Sequence, residues 1–437
     1  MLEKLVEIGK KYADEVEIYQ VNNFSSGVSF ENGVLKDIET SIQSGISLRI
    51  IKDGKLGFSY TKNLLDPEGF VKNAIDSLKG DIKIEFSFPI GKELKTLNTY
   101  DLEIENLTNT KMVEEGQRIS DILSQATNTQ VNVGLVKSVS EIRIINSNGV
   151  DYSTKNSFYM CYAAAMYPGS YSSITRVVAD KKFKEFSKED FDYITFLYNS
   201  SRKEVKPKSG KMKVMFLPNT MYVLIWRLVY GTNGKNVYEK TTPLIDKIGS
   251  QIFDPAISIY NDPFDDTIPG SRAFDDEGVE SKILPIVENG VLKNFYYDLY
   301  YGSKMGVGST GNGYKVSDWG GEIIRVRPTP SLEHLHMKPG DKDFYEMIKS
   351  MDKGIIVAQA LGAHSGNIPN GDFSIGLSPG LYVENGEILG HVKDAMVAGN
   401  IYEVMRNVLS LENKTYMANM GVFPSAIFED VSVAIRE

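Results

Sequence analysis

Apolar residues recur along this chain with two periods, and each switch between them marks a change of element. Leu2, Leu5, Val6 and Ile8 repeat at helical spacing, so the chain is expected to open on a helix. The runs NFSSGVSF, GVLKDIETS, GISLRIIK and KLGFSYT then alternate apolar and polar positions, as half-buried strands do. They are separated by Glu31-Asn32-Gly33, Gln43-Ser44-Gly45 and Asp53-Gly54. Asn-Gly and Asp-Gly reach positive φ at little cost, so these separators predict hairpin turns and an antiparallel meander. Asp66 stands where a helix starting at Pro67 needs its cap, and Phe70, Val71, Ala74, Ile75 and Leu78 fall on one face of that helix. A further helix is expected at residues 111–126, strands over 131–178 interrupted at Asn148-Gly149, and a third helix in KEDFDYITFLYNSSRK.

The second half begins with the strand-like run KVMFL. After Pro218 comes MYVLIWRLVYG, a buried-helix pattern in which Arg227 is the only charge. A loop-rich middle comes next, containing SRAFDDEGVES and GSTGNGYK. Beyond it lie a helix near 341–351, the strands GIIVAQALG, GLYVENG and EILGHV, a helix at 400–410 and a closing strand-like run. Glu-Asn-Gly recurs at 31–33, 288–290 and 384–386 at unequal intervals, which is reused hairpin chemistry rather than a structural repeat. Helices and antiparallel strands in mixed order give the class α+β. The composition shift at residues 203–212 divides the chain into an amino-terminal α+β domain, 1–205, built on the meander and its helices, and a larger, mixed β-rich carboxy-terminal domain, 212–437.

Composition narrows the function classes. A length of 437 residues is enough for two cores. The longest apolar run is broken by Arg227 and falls short of the roughly 18 residues a membrane span needs, so no membrane role is expected. The net charge of −9 disfavours direct nucleic-acid binding; the basic stretch 201–213 reads as a solvated linker. Cys161 is the only cysteine, which excludes an internal disulfide. With no signal-peptide layout at the start, a cytoplasmic location is the expectation.

LGAHSGNIPNGDFSIG, residues 361–376, has the densest candidate chemistry. His364 and Ser365 are adjacent, so on an extended backbone their side chains point apart. Ser374 precedes a strand-like run where a nucleophile elbow requires a helix. A catalytic triad is therefore not expected. His334 and His336 are two apart and could share a face toward a metal, but no third ligand stands nearby. GSTGNGYK lacks the Gly-Lys-Ser/Thr ending of a phosphate loop. Asp275, Asp276 and Glu277 beside Arg272 could hold a cation or a peptide amine, or form a turn with a local ion pair.

The order of these segments adds a further signal. SRAFDDEGVESKILPIVENGVLKNFYYDLYYGSKMGVGSTGNG, followed by GIIVAQALGAHSGNIPNGDFSIGLSPGLYVENGEILGHVKDAMVAGNIYEVMRNV, resembles the carboxy-terminal half of the TldD/PmbA family. The likeness runs over nearly all of 212–437 and, more faintly, into the meander. It implies one of two branches. The TldD branch is a zinc metallopeptidase with His-Glu-x-x-x-His on a helix early in the carboxy-terminal domain and a cysteine ligand near the end of the chain. Here that helix reads MYVLIWRLVYGTNG and the late segment YMANMGVFPS, with none of those ligands. The resemblance thus implies the TldE (PmbA) type, which pairs with a zinc-bearing TldD subunit to cleave unstructured peptides inside a channel. On that reading this chain has no catalytic residue and no metal or cofactor of its own, and zinc belongs to the partner. The polar, glycine-rich segments then make Arg272, Asp275, Asp276, Glu277, Asn312, His364, Asp372 and Ser374 the candidates to line the peptide channel. The alternatives are a non-enzymatic regulatory homodimer, in keeping with the older family label of gyrase modulator, and a self-sufficient hydrolase with a metal at His334, His336 and His364.

Overall fold

The computed structural model describes residues 1–316 and 320–436. Six strands, β1 (Glu15–Glu31), β2 (Val34–Lys52), β3 (Lys55–Thr61), β4 (Val131–Asn146), β5 (Asp151–Met166) and β6 (Ser173–Asp180), form one antiparallel sheet in the order β3-β2-β1-β4-β5-β6. Asn32 at φ 52° and Gly33 at φ 75° turn β1 into β2, and Asp53 at φ 50° with Gly54 at φ 67° turns β2 into β3, as the dipeptides predict. The turn expected at Gln43-Ser44-Gly45 does not form, and β2 runs through it without a break. Gly45 serves close packing instead, because a Cβ there would collide with the Ile324 side chain.

One group of helices covers this sheet along Asn109–Thr127 and Lys188–Ser200. Ile119, Leu123, Ile194 and Leu197 from those helices pack with Val133, Leu135, Tyr159 and Cys161. Thr108 caps the first by accepting from Lys111 N, and Ser187 with Asp190 closes a capping box on the second. The opening helix, Leu2–Gly9, packs beside Pro67–Ser77, and Leu5, Val6, Phe70 and Val71 join Ile18 and Leu48 in a second cluster. Asp66 caps Pro67–Ser77 through Gly69 N, as expected.

The second half holds a curled nine-stranded mixed sheet. Its central strand, β7 (Gly210–Phe216), lies parallel to Lys353–Val357 and antiparallel to the last strand, Ala426–Ile435. A smaller six-stranded sheet joins Ile259–Asn261 and Leu335–Met337 to Gly421–Phe423. Between them runs the helix Tyr222–Thr232, with Val223, Leu224, Ile225 and Leu228 fully buried. The helix expected near 341–351 is Phe344–Lys349. The one expected at 400–410 shrinks to Ile401–Val404, because Val408–Leu411 pairs as a strand with Ala426–Ile435. Sheet pairing overrides helical spacing there.

Two features of this arrangement bear on function. The apolar core is continuous across residues 205–212: Met215, Leu217, Ile356, Leu381 and Ile427 pack in one cluster with Val133, Tyr159 and Leu197. β1 pairs with β2 along its length, but on the opposite edge β3 pairs only from Ile46 to Lys52, so among the described residues the outer half of β2 has no strand on that side. Val34, Leu35, Ile38 and Ile42 on that edge are all exposed, Ile42 by 75%. Among the described residues, no helix is long and apolar enough to cross a membrane.

Candidate functional site

Where the amino-terminal sheet meets the second half, a buried charge network replaces apolar packing. Arg49, near the end of β2, donates from Nε to Glu17 Oε1 at 2.7 Å and from Nη2 to Glu17 Oε2 at 2.9 Å. Its Nη1 donates to Glu277 Oε1 at 2.7 Å, so one guanidinium holds carboxylates from both halves, and all three residues are buried. Such pairing is required there, because an uncompensated charge in a dry interior is strongly destabilising. Glu277 Oε2 also accepts from Leu299 N at 2.6 Å. Asp298, which caps the helix Leu299–Lys304, has its carboxyl pushed up to about 8, first by burial and then by the Glu277 charge. Lys315 is pushed down to about 7, first by burial and then by the Arg49 charge.

The candidates Arg272, Asp275, Asp276, Glu277 and Asn312 all lie in this region, and all are buried. Asp275 accepts from the backbone N of Glu277, Val279 and Gly313 at 3.0, 2.9 and 2.8 Å. These bonds tie the SRAFDDEG segment to the GNGYK segment. Burial and the neighbouring Glu277 charge still raise the Asp275 carboxyl well above its ordinary range. Asp276 accepts from Arg272 Nη1 at 2.7 Å and from Lys315 N at 2.8 Å. Asn312 accepts from Thr310 Oγ1 at 2.8 Å and donates to Ser331 O at 3.2 Å.

His364, Asp372 and Ser374 occupy a different place. His364 is exposed on a loop, while Asp372 and Ser374 are half-buried on the strand Asp372–Leu377. The loop is organised around Arg227 of the helix Tyr222–Thr232, which is completely buried. Arg227 donates to Asp372 O at 2.6 Å, Ala363 O at 2.9 Å, Ser365 O at 2.8 Å and, within its own helix, Val223 O at 2.6 Å. Burial pushes its guanidinium down to about 10, with the Asp372 charge opposing the shift. The Asp372 side chain accepts from Asn400 Nδ2 at 2.8 Å. Gly362, Gly366 and Gly371 all adopt positive φ, which lets the loop wrap one side chain so closely.

A zinc ion does not fit the residues present. The helix Tyr222–Thr232 carries no His, Glu, Asp or Cys. Among the described residues, no three such side chains come together as a metal site. His336 stacks on Tyr260 with centroids 5.3 Å apart, and His334 stands edge-on to Tyr314 at 6.1 Å. Burial pushes His334 down to about 3, with the Arg272 charge second, so it is neutral near pH 7. Cys161 is buried on β5, where burial raises its thiol and leaves it unreactive.

Residues 209–435 match the model of the PmbA/TldA metallopeptidase C-terminal domain, and residues 16–78 match PmbA/TldA metallopeptidase domain 1. The chain belongs to the PmbA/TldD metallopeptidase family. It is 29% identical over 432 residues to an uncharacterized protein of Methanocaldococcus jannaschii, with 98% of each chain covered. A metalloprotease PmbA homolog of Haemophilus influenzae is 25% identical, covering 91% of this chain and 92% of its own. Among solved structures, TldE from Thermococcus kodakarensis superposes with a TM-score of 0.90 at 22% identity over 99% of both chains, so the PmbA/TldD likeness extends to the whole fold.

Proposed function

We propose that this chain is the non-metal-binding, TldE-type subunit of a metallopeptidase pair that cleaves unstructured peptides, its zinc being held by a TldD-type partner. The observation that carries this reading is Arg227. It occupies the helix on which the family's zinc-bearing branch places its ligands, and its guanidinium is spent on four backbone carbonyls. A helix so committed offers a metal nothing. The open edge of β2, beyond the reach of β3, supports a partner: an exposed edge strand bearing Val34, Leu35, Ile38 and Ile42 is a surface proteins normally cover. Unfolded peptide would then be held by main-chain pairing between the subunits. A cytoplasmic setting agrees with the single buried thiol.

Co-expression with a paralogue carrying His-Glu-x-x-x-His tests the proposal. Expected are a stable heterodimer, zinc in the pair but not in this chain alone, and peptide cleavage only by the pair. Zinc-dependent cleavage by the isolated chain would favour the self-sufficient hydrolase. A persistent homodimer that ignores the paralogue would favour the regulatory module.

A further inference from the structure

A cavity of about 380 Å³ opens between the amino-terminal sheet and the second half, within the range of small-molecule sites. Its walls include Ile142, Phe158, Pro269, Ile323 and Met417 as apolar surface, with Tyr19, Asn156, Arg272, Tyr314, Glu333 and His334 as polar groups. Asp276, Lys315 and Glu333, which also line it, are hydrogen-bonded within the protein, but the other polar groups are unusual in how little they bond. Among the described residues, Arg272 Nε and Nη2, Tyr19 Oη, Tyr314 Oη, Asn156 Oδ1 and His334 Nε2 are all buried with no hydrogen-bond partner. Unsatisfied buried polar atoms are rare, and five such residues around one cavity call for an explanation.

The arrangement of Arg272 supplies one. Its Nη1 is engaged by Asp276 at 2.7 Å, and its faces are covered by the rings of Phe274 and Tyr314, at 5.3 and 5.5 Å from the centroids. Nε and Nη2 remain, and together they form the second, side-on fork of a guanidinium, the shape that takes both oxygens of a carboxylate. Arg272 is only 7% exposed, so this fork is desolvated and pre-positioned. The complementary acceptors are Asn156 Oδ1, which has no partner, and the Glu333 carboxylate, whose Oε1 also accepts from Ser331 Oγ at 2.5 Å. They suit the N–H groups of the same ligand, and the apolar wall suits a side chain.

The geometry points to a binding site for an α-amino-acid carboxylate, in the form of a free amino acid or a peptide carboxy terminus, with the carboxylate on the Arg272 fork and the adjoining N–H groups on Asn156 and Glu333. Tyr19 and Tyr314 hydroxyls and neutral His334 complete the oxygen contacts. The site lies wholly within this chain and stands whether or not a zinc subunit exists.

Calorimetric titration of the full chain tests it with N-acetylphenylalanine, its carboxamide, phenylalanine and Ala-Phe. The acid is expected to bind and the amide not. Stronger binding of Ala-Phe than of phenylalanine assigns the site to peptide ends, and the reverse order to free amino acids. Arg272→Gln should abolish binding. Because that change also frees Asp276, Tyr314→Phe is the companion variant: it removes a hydroxyl without a protein partner, and should weaken the acid about tenfold with unchanged thermal unfolding. Equal binding of acid and amide, no binding of either at millimolar concentration, or full affinity in Tyr314→Phe overturns the assignment.

Discussion

Asp298 couples the buried network to pH. Burial, and then the Glu277 charge, push its carboxyl up to about 8 from an ordinary 3.8, so between those values the native state binds the extra proton. Stability must then fall as pH rises through that window. Lys315 acts in the opposite sense between about 7 and 10.5, where the unfolded state binds more protons. Asp298→Asn keeps an acceptor for Tyr301 N and cannot ionise. Urea unfolding across the Asp298 window is therefore expected to show a shallower loss of stability in the variant, by about 1 kcal/mol or more, the weight of one pK unit. Parallel curves for the two proteins would refute the assignment. Arg49 and Glu17, at the centre of this network, are not among the residues the sequence singles out as candidates. A signal is nonetheless present, since a lone arginine inside ISLRIIK and a lone glutamate inside VEIY sit where apolar residues belong. Arg227 is legible as the only charge of its helix, but its targets at 363, 365 and 372 are not, because nothing local ties positions so far apart.

At the scale of elements, the hairpins at Asn32-Gly33 and Asp53-Gly54 can be read because their φ values depend on the two residues alone. Gly45 cannot. Its role is set by Ile324, a contact between distant parts of the chain. Gly45→Ala is expected to cost about 1–3 kcal/mol by forcing that side chain away. Denaturant unfolding measures the loss, and Ile324→Val in the same chain should recover part of it. A neutral Gly45→Ala would return the glycine to a turn-like role. The helix expected at 400–410 fails for a related reason: partner strands decide the fate of Val408–Leu411 more than its own spacing does.

For the whole molecule, the α+β class and the change at 203–212 are visible in composition and period, while the shared core is not. Apolar residues from both sides of that segment pack as one body, so the two halves are expected to unfold together. Hydrogen exchange under increasing urea should give β4 and the strand Ala426–Ile435 the same opening free energy. Separate values would mean that the core is divisible. The site candidates scatter for the same reason that the core unites: 272, 314 and 334 meet 19 only because the amino-terminal sheet is laid across the second half.

The Arg49–Glu277 bond has an evolutionary side. Either residue, changed alone, strands a charge in the interior, so recombination between relatives at the apparent boundary would succeed only where both parents carry matching partners at 49, 17 and 277. Inheritance must then treat the two halves as a single cassette, whatever the linker between them suggests.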